Sequence, residues 1–98
     1  MRGLILAAGR GSRINEITDK HPKCLIKIHD QTLLNMQLDA FNKSGINELG
    51  IITGYKREML AEYGLKEFYN PSWNKTNMVS SLLCASDWLQ YSPCIISY

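Results

Sequence analysis

Short apolar runs recur along the chain, and each is bounded by glycine, proline or polar residues. The first run, Arg2–Ala7, is almost entirely aliphatic and is followed by Gly9. An apolar run of this length without polar alternation is typical of a strand buried on both faces. Similar runs predict further strands at residues 24–28, 49–53, 66–69 and 93–98.

The segments between these runs show helical spacing. Leu34, Leu38 and Phe41 lie on one predicted helix face, with Thr32 placed to cap the helix and Gly45 to end it. A short helix is predicted at residues 56–63. A third helix is predicted to begin at Thr76, with an apolar stripe of Met78, Leu82, Ala85 and Leu89, widened by Val79 and Leu83.

Strands that alternate with helices predict βαβ units. We therefore expect an α/β, Rossmann-like fold with a mostly parallel sheet and flanking helices. In open sheets of this kind, ligands bind beyond the carboxyl ends of the strands. The segment that follows Ala7 leaves the sheet at such an end.

Composition narrows the functional class. The 98 residues fit one small domain or part of one, and the net charge of +2 is too balanced to indicate a nucleic-acid binder. No apolar run approaches the roughly 18 residues that a membrane span requires. Three cysteines without a C-x-x-C pair argue against a disulfide framework and a zinc site. We expect a cytoplasmic protein.

The segment after the first strand contains the residues best suited to bind an anion. Gly9-Arg10-Gly11-Ser12-Arg13 offers backbone N–H groups with little side-chain cover, which is typical of an anion-binding nest. Arg13 adds a forked donor, and Lys23 adds a point charge further along. A polyphosphate site is one interpretation, and a glycine-rich turn with solvated arginines is the other. Ile14 excludes the third glycine of a Rossmann fingerprint, and no Gly-Lys-Ser or Gly-Lys-Thr of a P-loop is present.

The motif Leu6-Ala7-Ala8-Gly9-x-Gly11-x-Arg13, followed by Pro22-Lys23, resembles the signature of nucleotidyltransferases that activate sugars and alcohols. The resemblance implies a glycosyltransferase-A-like nucleotidyltransferase fold. The segment NPSWNKTNMVSSLLCA resembles the corresponding part of phosphocholine cytidylyltransferases. Residues 1–98 would be the N-terminal, nucleotide-binding part of a single nucleotidyltransferase domain.

The resemblance also implies roles for particular residues. Arg13 and Lys23 would neutralise charge on the α-phosphate and the departing pyrophosphate, which makes them the candidate catalytic residues. Thr76, Asn77 and Ser80 would hydrogen-bond the base, although Thr76 is equally suited to capping a helix. The complete set of expected nucleotide-binding residues is Leu6, Ala7, Ala8, Gly9, Gly11, Ser12, Arg13, Lys23, Thr76, Asn77 and Ser80.

The implied reaction transfers a nucleoside monophosphate from a triphosphate, with CTP favoured, to a phosphorylated small molecule such as phosphocholine or a phosphonate. The family places a Mg²⁺-binding aspartate after the strand that follows the last helix, but no carboxylate follows Asp87 here. We therefore expect a truncated form whose Mg²⁺ ligands lie outside the chain and which does not turn over alone. The alternatives are a sugar-1-phosphate nucleotidyltransferase, a non-catalytic nucleotide-binding module and a Rossmann-like interaction domain.

Other conspicuous residues are expected to be structural. Trp88 is predicted to pack on the core and Asp87 to lie on the surface, while Trp73 has no assigned role. Lys56-Arg57 is interpreted as a solvated helix start. The histidines His21 and His29 show no partner pattern, and burial is expected for Cys24, Cys84 and Cys94.

Overall fold

The computed structural model describes residues 1–8, 23–75, 78–90 and 93–97. Its strands are β1 (Arg2–Ala7), β2 (Lys27–Ile28), β3 (Gln31–Thr32), β4 (Glu48–Thr53), β5 (Lys66–Tyr69) and β6 (Cys94–Ser97). Its α-helices are α1 (Leu33–Lys43), α2 (Met78–Leu83) and α3 (Ser86–Gln90), and two 3₁₀-helices span Lys23–Leu25 and Arg57–Tyr63.

Four of the described strands form a parallel sheet in the order β5-β4-β1-β6. Ile5 in the central strand β1 lies opposite Ile51 of β4 on one side and opposite Ser97 of β6 on the other. Parallel neighbours require crossover connections, and the described helices lie in them. The predicted α/β architecture, with a parallel sheet and flanking helices, is confirmed.

Both faces of the sheet are covered by apolar side chains. On one face, Ile5 and Ile51 pack in a cluster with Leu34 and Phe41 of α1. On the other face, a second cluster comprises Leu4, Ala8, Ile52, Ala85 and Trp88. Successive residues of a strand point to opposite faces, so a strand between two helical layers needs apolar residues at nearly every position. This explains the unbroken apolar sequence of β1, and Trp88 packs on the core as predicted.

The limits of α1 follow from its capping residues. The Oγ1 of Thr32 accepts a hydrogen bond from the backbone N–H of Asn35 at 3.0 Å, which satisfies one donor at the helix start. Gly45 follows the helix with a φ of 77°, a left-handed conformation that glycine adopts without steric cost. Leu34 and Phe41 are buried against the sheet. The predicted cap, stop and apolar face are confirmed.

The prediction of one strand at residues 24–28 is wrong. Lys23–Leu25 forms a 3₁₀-turn, and only Lys27–Ile28 pairs antiparallel with Gln31–Thr32. His29 and Asp30 join the two short strands with positive φ angles of 52° and 68°. A short apolar run has the same sequence pattern in a strand and in a tight turn, so its periodicity did not distinguish them.

The helix predicted from Thr76 to Leu89 is interrupted. It divides into α2 and α3 at Cys84 and Ala85, whose N–H groups bond to Ser81 and Leu82 three residues back. Such bonds tighten the last turn of a helix. Thr76 itself lies outside the described residues.

The residues of the predicted stripe have different environments, and the side chain of Met78 lies outside the described residues. Ala85 is buried, and Leu82 and Leu89 pack against the second cluster, as predicted. Val79 and Leu83 are 64% and 65% exposed, so the prediction that they widen the stripe is wrong. Cys84 is exposed as well, against the expectation of burial, because it lies at the turn between the helices.

The remaining predicted elements agree closely with the structure. The strands predicted at residues 49–53, 66–69 and 93–98 correspond to β4, β5 and β6, and the short helix at 56–63 is the second 3₁₀-helix. Asp87 is exposed, as expected. None of the described helices combines the length and the apolarity needed to cross a membrane.

Candidate functional site

The carboxyl ends of β1, β4 and β5 meet at one edge of the sheet. Ala7 lies opposite Thr53, and Thr53 lies opposite Tyr69 on its other side. The chain leaves the sheet after each of these residues, so the segments beginning at Ala8, Gly54 and Asn70 emerge side by side. This is the edge at which open parallel sheets bind their ligands.

Two backbone hydrogen bonds hold the emerging segments together. The N–H of Tyr55 donates to the carbonyl of Ala8 at 2.9 Å, and the N–H of Asn70 donates to the carbonyl of Thr53 at 2.8 Å. These bonds continue the strand pairing past the last paired residue. The start of the glycine-rich segment is therefore fixed relative to β4 and β5.

Gly54 occupies a position without room for a side chain. A Cβ there would lie 2.5 Å from Cβ of Trp73 and 2.7 Å from the carbonyl oxygen of Ala8. The ring of Trp73 packs edge-on against Tyr55, with 5.1 Å between the ring centroids, and both residues are half-buried. An aromatic pair thus lies next to the point where β1 and β4 end.

Asn70 connects this edge to α2. Its side chain is buried, its Nδ2 donates to Oγ of Ser81 at 3.0 Å, and its Oδ1 accepts from the N–H of Ser72 at 3.0 Å. The first bond holds α2 against the sheet edge, and the second shapes the turn that contains Trp73. Buried polar groups are normally paired in this way, because leaving them unpaired costs free energy.

Arg57 begins the second 3₁₀-helix with an exposed side chain, as interpreted, but it also forms contacts that the sequence did not predict. Its Nε and Nη2 donate to the Glu67 carboxylate at 2.9 and 2.5 Å, and its guanidinium lies 4.1 Å from the ring centroid of Tyr69. Thr53 also donates to Glu67, from Oγ1 at 2.6 Å. The pairing depends on β5 lying beside β4, a tertiary relation that the local sequence does not contain.

The opposite charges of Arg57 and Glu67, which with Thr53 form the Arg57–Glu67 cluster, stabilise each other. The hydrogen bonds from Arg57 lower the pKa of Glu67; the bond from Thr53 adds to this shift, and partial burial opposes it. The hydrogen bond to Glu67 in turn raises the pKa of Arg57. Both groups therefore stay ionised at neutral pH, and the cluster fixes the 3₁₀-helix at Arg57–Tyr63 to the end of β5.

The structure describes some of the residues predicted to bind nucleotide. Leu6 and Ala7 end β1, Ala8 follows it, and half-buried Ser80 lies in α2 next to Ser81. The main chain of Lys23 begins the first 3₁₀-turn, but its side chain lies outside the described residues. Outside them as well lie Gly9, Gly11, Ser12, Arg13, Thr76 and Asn77.

The structure therefore places Ala7 and Ala8 at the carboxyl edge and Ser80 in α2 beside Ser81, which bonds to Asn70, and their contacts with a nucleotide stay a prediction. Sequence reasoning gave no site role to Tyr55 or Asn70 and left Trp73 unassigned. Their position in the sequence could have pointed to these residues. Gly54-Tyr55 and Asn70-Pro71 each follow a predicted strand directly, as Ala8-Gly9 follows β1.

The thiol of Cys24, next to Lys23, is not activated, and no metal cluster is evident where the structure describes the chain. Burial raises the pKa of Cys24 to about 11, so its thiol stays protonated at neutral pH. Among the described residues, no three His, Cys, Asp or Glu side chains lie close enough together to hold a metal ion. The expected Mg²⁺, with ligands outside this chain, stays a prediction.

A family comparison identifies the domain. Residues 3–97 match the model of the MobA-like NTP transferase domain. The chain belongs to this family. The match runs from the second residue of β1 to the end of β6 and so includes all four strands of the described sheet except Arg2. The nucleotidyltransferase resemblance of the loop motif is thereby confirmed.

Several relatives of this nucleotidyltransferase domain are named cytidylyltransferases. The CTP:phosphoglutamine cytidylyltransferase of Campylobacter jejuni is 33% identical, and the match covers 100% of this chain but 43% of that protein. The choline-phosphate cytidylyltransferase of Streptococcus pneumoniae is 31% identical over 94% of this chain and 42% of that protein. The chain thus spans less than half the length of these relatives.

A solved structure shows the same arrangement of elements. The CTP:phosphocholine cytidylyltransferase of Streptococcus pneumoniae superposes with a TM-score of 0.86 and 27% identity, over 97% of this chain and 42% of that one. UDP-glucose pyrophosphorylase superposes with a TM-score of 0.80 at 19% identity, which shows the shared fold alone. The described sheet therefore has the arrangement of the parallel sheet in that cytidylyltransferase.

The close packing at Gly54 yields a stability prediction. We expect Gly54→Ala to lower the free energy of unfolding by about 1–3 kcal/mol, because the new methyl group must displace backbone and Cβ atoms. Urea unfolding would measure this change. Val79→Ala, on the exposed face of α2, should change the free energy by less than about 0.5 kcal/mol. Equal stability of Gly54→Ala and the parent chain would contradict the packing described.

The Arg57–Glu67 cluster predicts a pH dependence. Because the folded-state pKa of Glu67 is lowered, its stabilising effect is complete above the unfolded-state value near 4.3 and is lost as pH falls through the folded-state pKa. We expect Glu67→Gln to have a lower free energy of unfolding than the parent at pH 7. This gap in free energy between the two proteins should narrow below about pH 4. The gap should be small, since both side chains are partly exposed.

Urea unfolding of both proteins between pH 7 and pH 3 would measure this gap. Glu62→Gln, a change at an exposed carboxylate on the same 3₁₀-helix, serves as the matched control. A gap for Glu67→Gln that stays constant over the whole range would show that its charge does not contribute.

Proposed function

We propose that this chain is the nucleotide-binding part of an enzyme that transfers a nucleoside monophosphate from a triphosphate to a phosphorylated small molecule, with release of pyrophosphate. The observation that carries the proposal is the edge at which Ala8, Gly54 and Asn70 emerge together, directly before the segment Gly9–Arg13. Family membership supports the same reaction class.

The proposed binding mode rests on the main chain. Ala7, Ala8 and Gly9 contact the nucleotide through backbone groups, and the N–H groups from Gly11 to Arg13 donate hydrogen bonds to the triphosphate oxygens, in line with anion nests elsewhere. The bond from Tyr55 to the carbonyl of Ala8 supports this proposal, because it fixes the start of the segment before any ligand binds. Such preorganisation reduces the free-energy cost of binding.

The proposed catalytic groups are Arg13 and Lys23, which neutralise charge that develops on the α-phosphate and the leaving pyrophosphate. The acceptor's phosphate oxygen attacks the α-phosphorus in line, so positioning and electrostatics suffice without a nucleophilic side chain. Cys24, the next residue after Lys23, is buried in the cluster beneath α1. This anchor holds the main chain at Lys23 in place.

CTP is the proposed triphosphate, and a phosphorylated alcohol such as phosphocholine or a phosphonate is the proposed acceptor. The names of the relatives from Campylobacter jejuni and Streptococcus pneumoniae support this choice. Thr76, Asn77 and Ser80 are the proposed contacts to the base. The bond between Asn70 and Ser81 supports their placement, since it holds the neighbouring part of α2 at the sheet edge.

A sugar-1-phosphate is the second candidate acceptor. A probable glucose-1-phosphate cytidylyltransferase of Bacillus subtilis is 35% identical over 66% of this chain. Both candidates involve the same nucleotide, so they differ only in the group that attacks it. The alternative of a non-catalytic nucleotide-binding module predicts binding of the triphosphate without transfer.

Mg²⁺ is the proposed cofactor of the complete enzyme, and it would neutralise charge on the phosphates. The described residues do not fit a metal site, since no group of three metal-binding side chains occurs among them. We therefore assign it no ligand in this chain. The proposed domain is residues 1–98 as the nucleotide-binding part of a longer nucleotidyltransferase domain.

Ligand-induced stabilisation tests this proposal. CTP at about 100 times its dissociation constant should raise the free energy of unfolding by about 2.7 kcal/mol, and Arg13→Ala or Lys23→Ala should abolish most of that gain at the same concentration. Thermal unfolding with each of the four nucleoside triphosphates and Mg²⁺ would measure the effect and the base preference.

The control is Lys43→Ala, which removes an exposed cation that pairs with Asp39 on α1. This variant should keep the full response to CTP. A chain that no triphosphate stabilises, or variants that respond like the parent, would contradict the proposed site.

A further inference from the structure

The most deeply buried of the described side chains in α2 is polar. Ser81 is 6% exposed, whereas its neighbour Leu82 is only partly buried against the second cluster. A buried hydroxyl group needs a hydrogen-bond partner, because leaving it unpaired costs free energy. The way in which α2 meets the sheet therefore depends on the partner of Ser81.

The partner of this hydroxyl group is the side-chain amide of Asn70, which is itself 4% exposed. Oδ1 of Asn70 accepts from the backbone N–H of Ser72 at 3.0 Å, and Nδ2 donates to Oγ of Ser81 at 3.0 Å. Because a backbone N–H can only donate, the amide oxygen must face Ser72 and the NH₂ group must face Ser81. The turn after β5 thus sets the direction of the bond to α2.

The main chain of Asn70 is fixed as well. Its N–H donates to the carbonyl of Thr53 at 2.8 Å, which continues the pairing of β4 with β5. The turn that follows is closed by a bond from the N–H of Lys75 to the carbonyl of Ser72 at 2.9 Å. Asn70 therefore joins a rigid part of the sheet to α2 through one side chain.

A hydrogen bond constrains α2 in a way that apolar packing does not. Burial of apolar surface is non-directional, so contacts such as those of Leu82 and Ala85 tolerate small rotations of a helix. The bond between Asn70 and Ser81 requires about 3 Å between donor and acceptor and a nearly linear angle. Breaking it leaves a buried donor unpaired, which is costly. The bond therefore selects one position of α2 on the sheet.

The position of α2 determines where the proposed base contacts lie. Ser80 directly precedes Ser81 and is half-buried. Successive residues of a helix project about 100° apart, so fixing Ser81 also fixes the direction of Ser80. Thr76 and Asn77 directly precede the first residue of α2 in the sequence. A rotation or slide of the helix would displace these groups relative to a bound base.

Hydroxyl and amide groups distinguish cytosine from uracil only when their surroundings hold them. Cytosine presents an amino donor where uracil presents a carbonyl acceptor. A hydroxyl group can rotate and an amide can turn over, so either group satisfies both bases when it is free to move. Selectivity between the two bases therefore depends on how firmly such groups are placed.

We propose that Asn70 is a positioning residue for base selectivity, which acts through its bond to Ser81 and does not itself contact the substrate. This role rests on the proposed function, since it takes Thr76, Asn77 and Ser80 as the contacts to the base. It adds the group that holds α2 in the position these contacts require. Loss of the bond should change the selectivity between CTP and UTP even where the chain stays folded.

Ser81→Ala is the variant that isolates the bond. It removes the acceptor for Asn70, and alanine favours a helix, so the fold should persist. Isothermal titration calorimetry of the 98-residue chain would measure the dissociation constants of CTP and of UTP, each with Mg²⁺. We expect the ratio of the UTP constant to the CTP constant to fall by about three- to tenfold, the effect of one lost hydrogen bond.

Asn70→Ala and the double variant complete a double-mutant cycle. Both changes break the same bond, so the double variant should lower the ratio no further than Ser81→Ala alone. The control is Ile46→Val, which removes a buried methylene group from the first cluster, before β4 and at the end of the strands opposite to the site. It should lower the free energy of unfolding and leave the ratio unchanged, which separates positioning from general stability.

An unchanged ratio in Ser81→Ala, an equal fall in Ile46→Val, or effects of Asn70→Ala and Ser81→Ala that multiply would overturn the proposed role of Asn70 alone. A parent chain that binds triphosphates without distinguishing CTP from UTP would also overturn it, while the proposed reaction class would stand. A parent chain that binds no triphosphate would overturn the proposed function together with this role. If Asn70→Ala does not fold, the comparison of Ser81→Ala with Ile46→Val decides the question.

Discussion

The parallel pairing of β1 with β4 is the constraint on which the rest of the structure depends. Leu4, Ile5, Ile51 and Ile52 are each at most 2% exposed, and burial of one such side chain contributes about 1.5–3 kcal/mol. Because side chains alternate between the faces, a slip of one residue would exchange the two core clusters. The register of this pairing is therefore fixed, and it determines where the helices pack on both faces of the sheet.

The same register creates the candidate site. Since Ala7 and Thr53 end side by side, the chain must leave the sheet at Ala8 and Gly54 in close contact. Trp73 fills the remaining space above Gly54, and Asn70 binds α2 to the same edge. The apolar core between two helical layers thus ends in a group of backbone segments that hydrogen bonds and close packing hold in place.

The elements that sequence reasoning identified correctly are those whose pattern reflects their own burial. The aliphatic run of β1 and the spacing of Leu34 and Phe41 in α1 match the surfaces that these elements bury. The run from Cys24 to Ile28 did not distinguish two structures, because a 3₁₀-turn and a strand both bury a short apolar segment. The exposed pair Val79 and Leu83 shows the converse case, in which a helix is apolar on a face that the described residues leave uncovered.

The sequence proposed where the candidate site lies, but it did not predict the contacts around it. The loop motif pointed to the end of β1, and the family comparison supports the nucleotidyltransferase reaction class. The contact of Arg57 with Glu67 was not predictable, because it depends on how a 3₁₀-helix lies against a strand ten residues further along the chain. The role of Gly54 likewise depends on Trp73, which a separate turn brings to the sheet edge.

The central claim is that the carboxyl edge of β1 and β4 binds a nucleotide. Amide chemical shifts of the ¹⁵N-labelled chain during titration with CTP and Mg²⁺ would test it most directly. The shifts should concentrate at Ala7, Ala8 and Tyr55, while Arg2 and Glu48 at the opposite end of the same strands stay unchanged. Shifts centred on Arg2 and Glu48, or no shift anywhere at millimolar CTP, would contradict it.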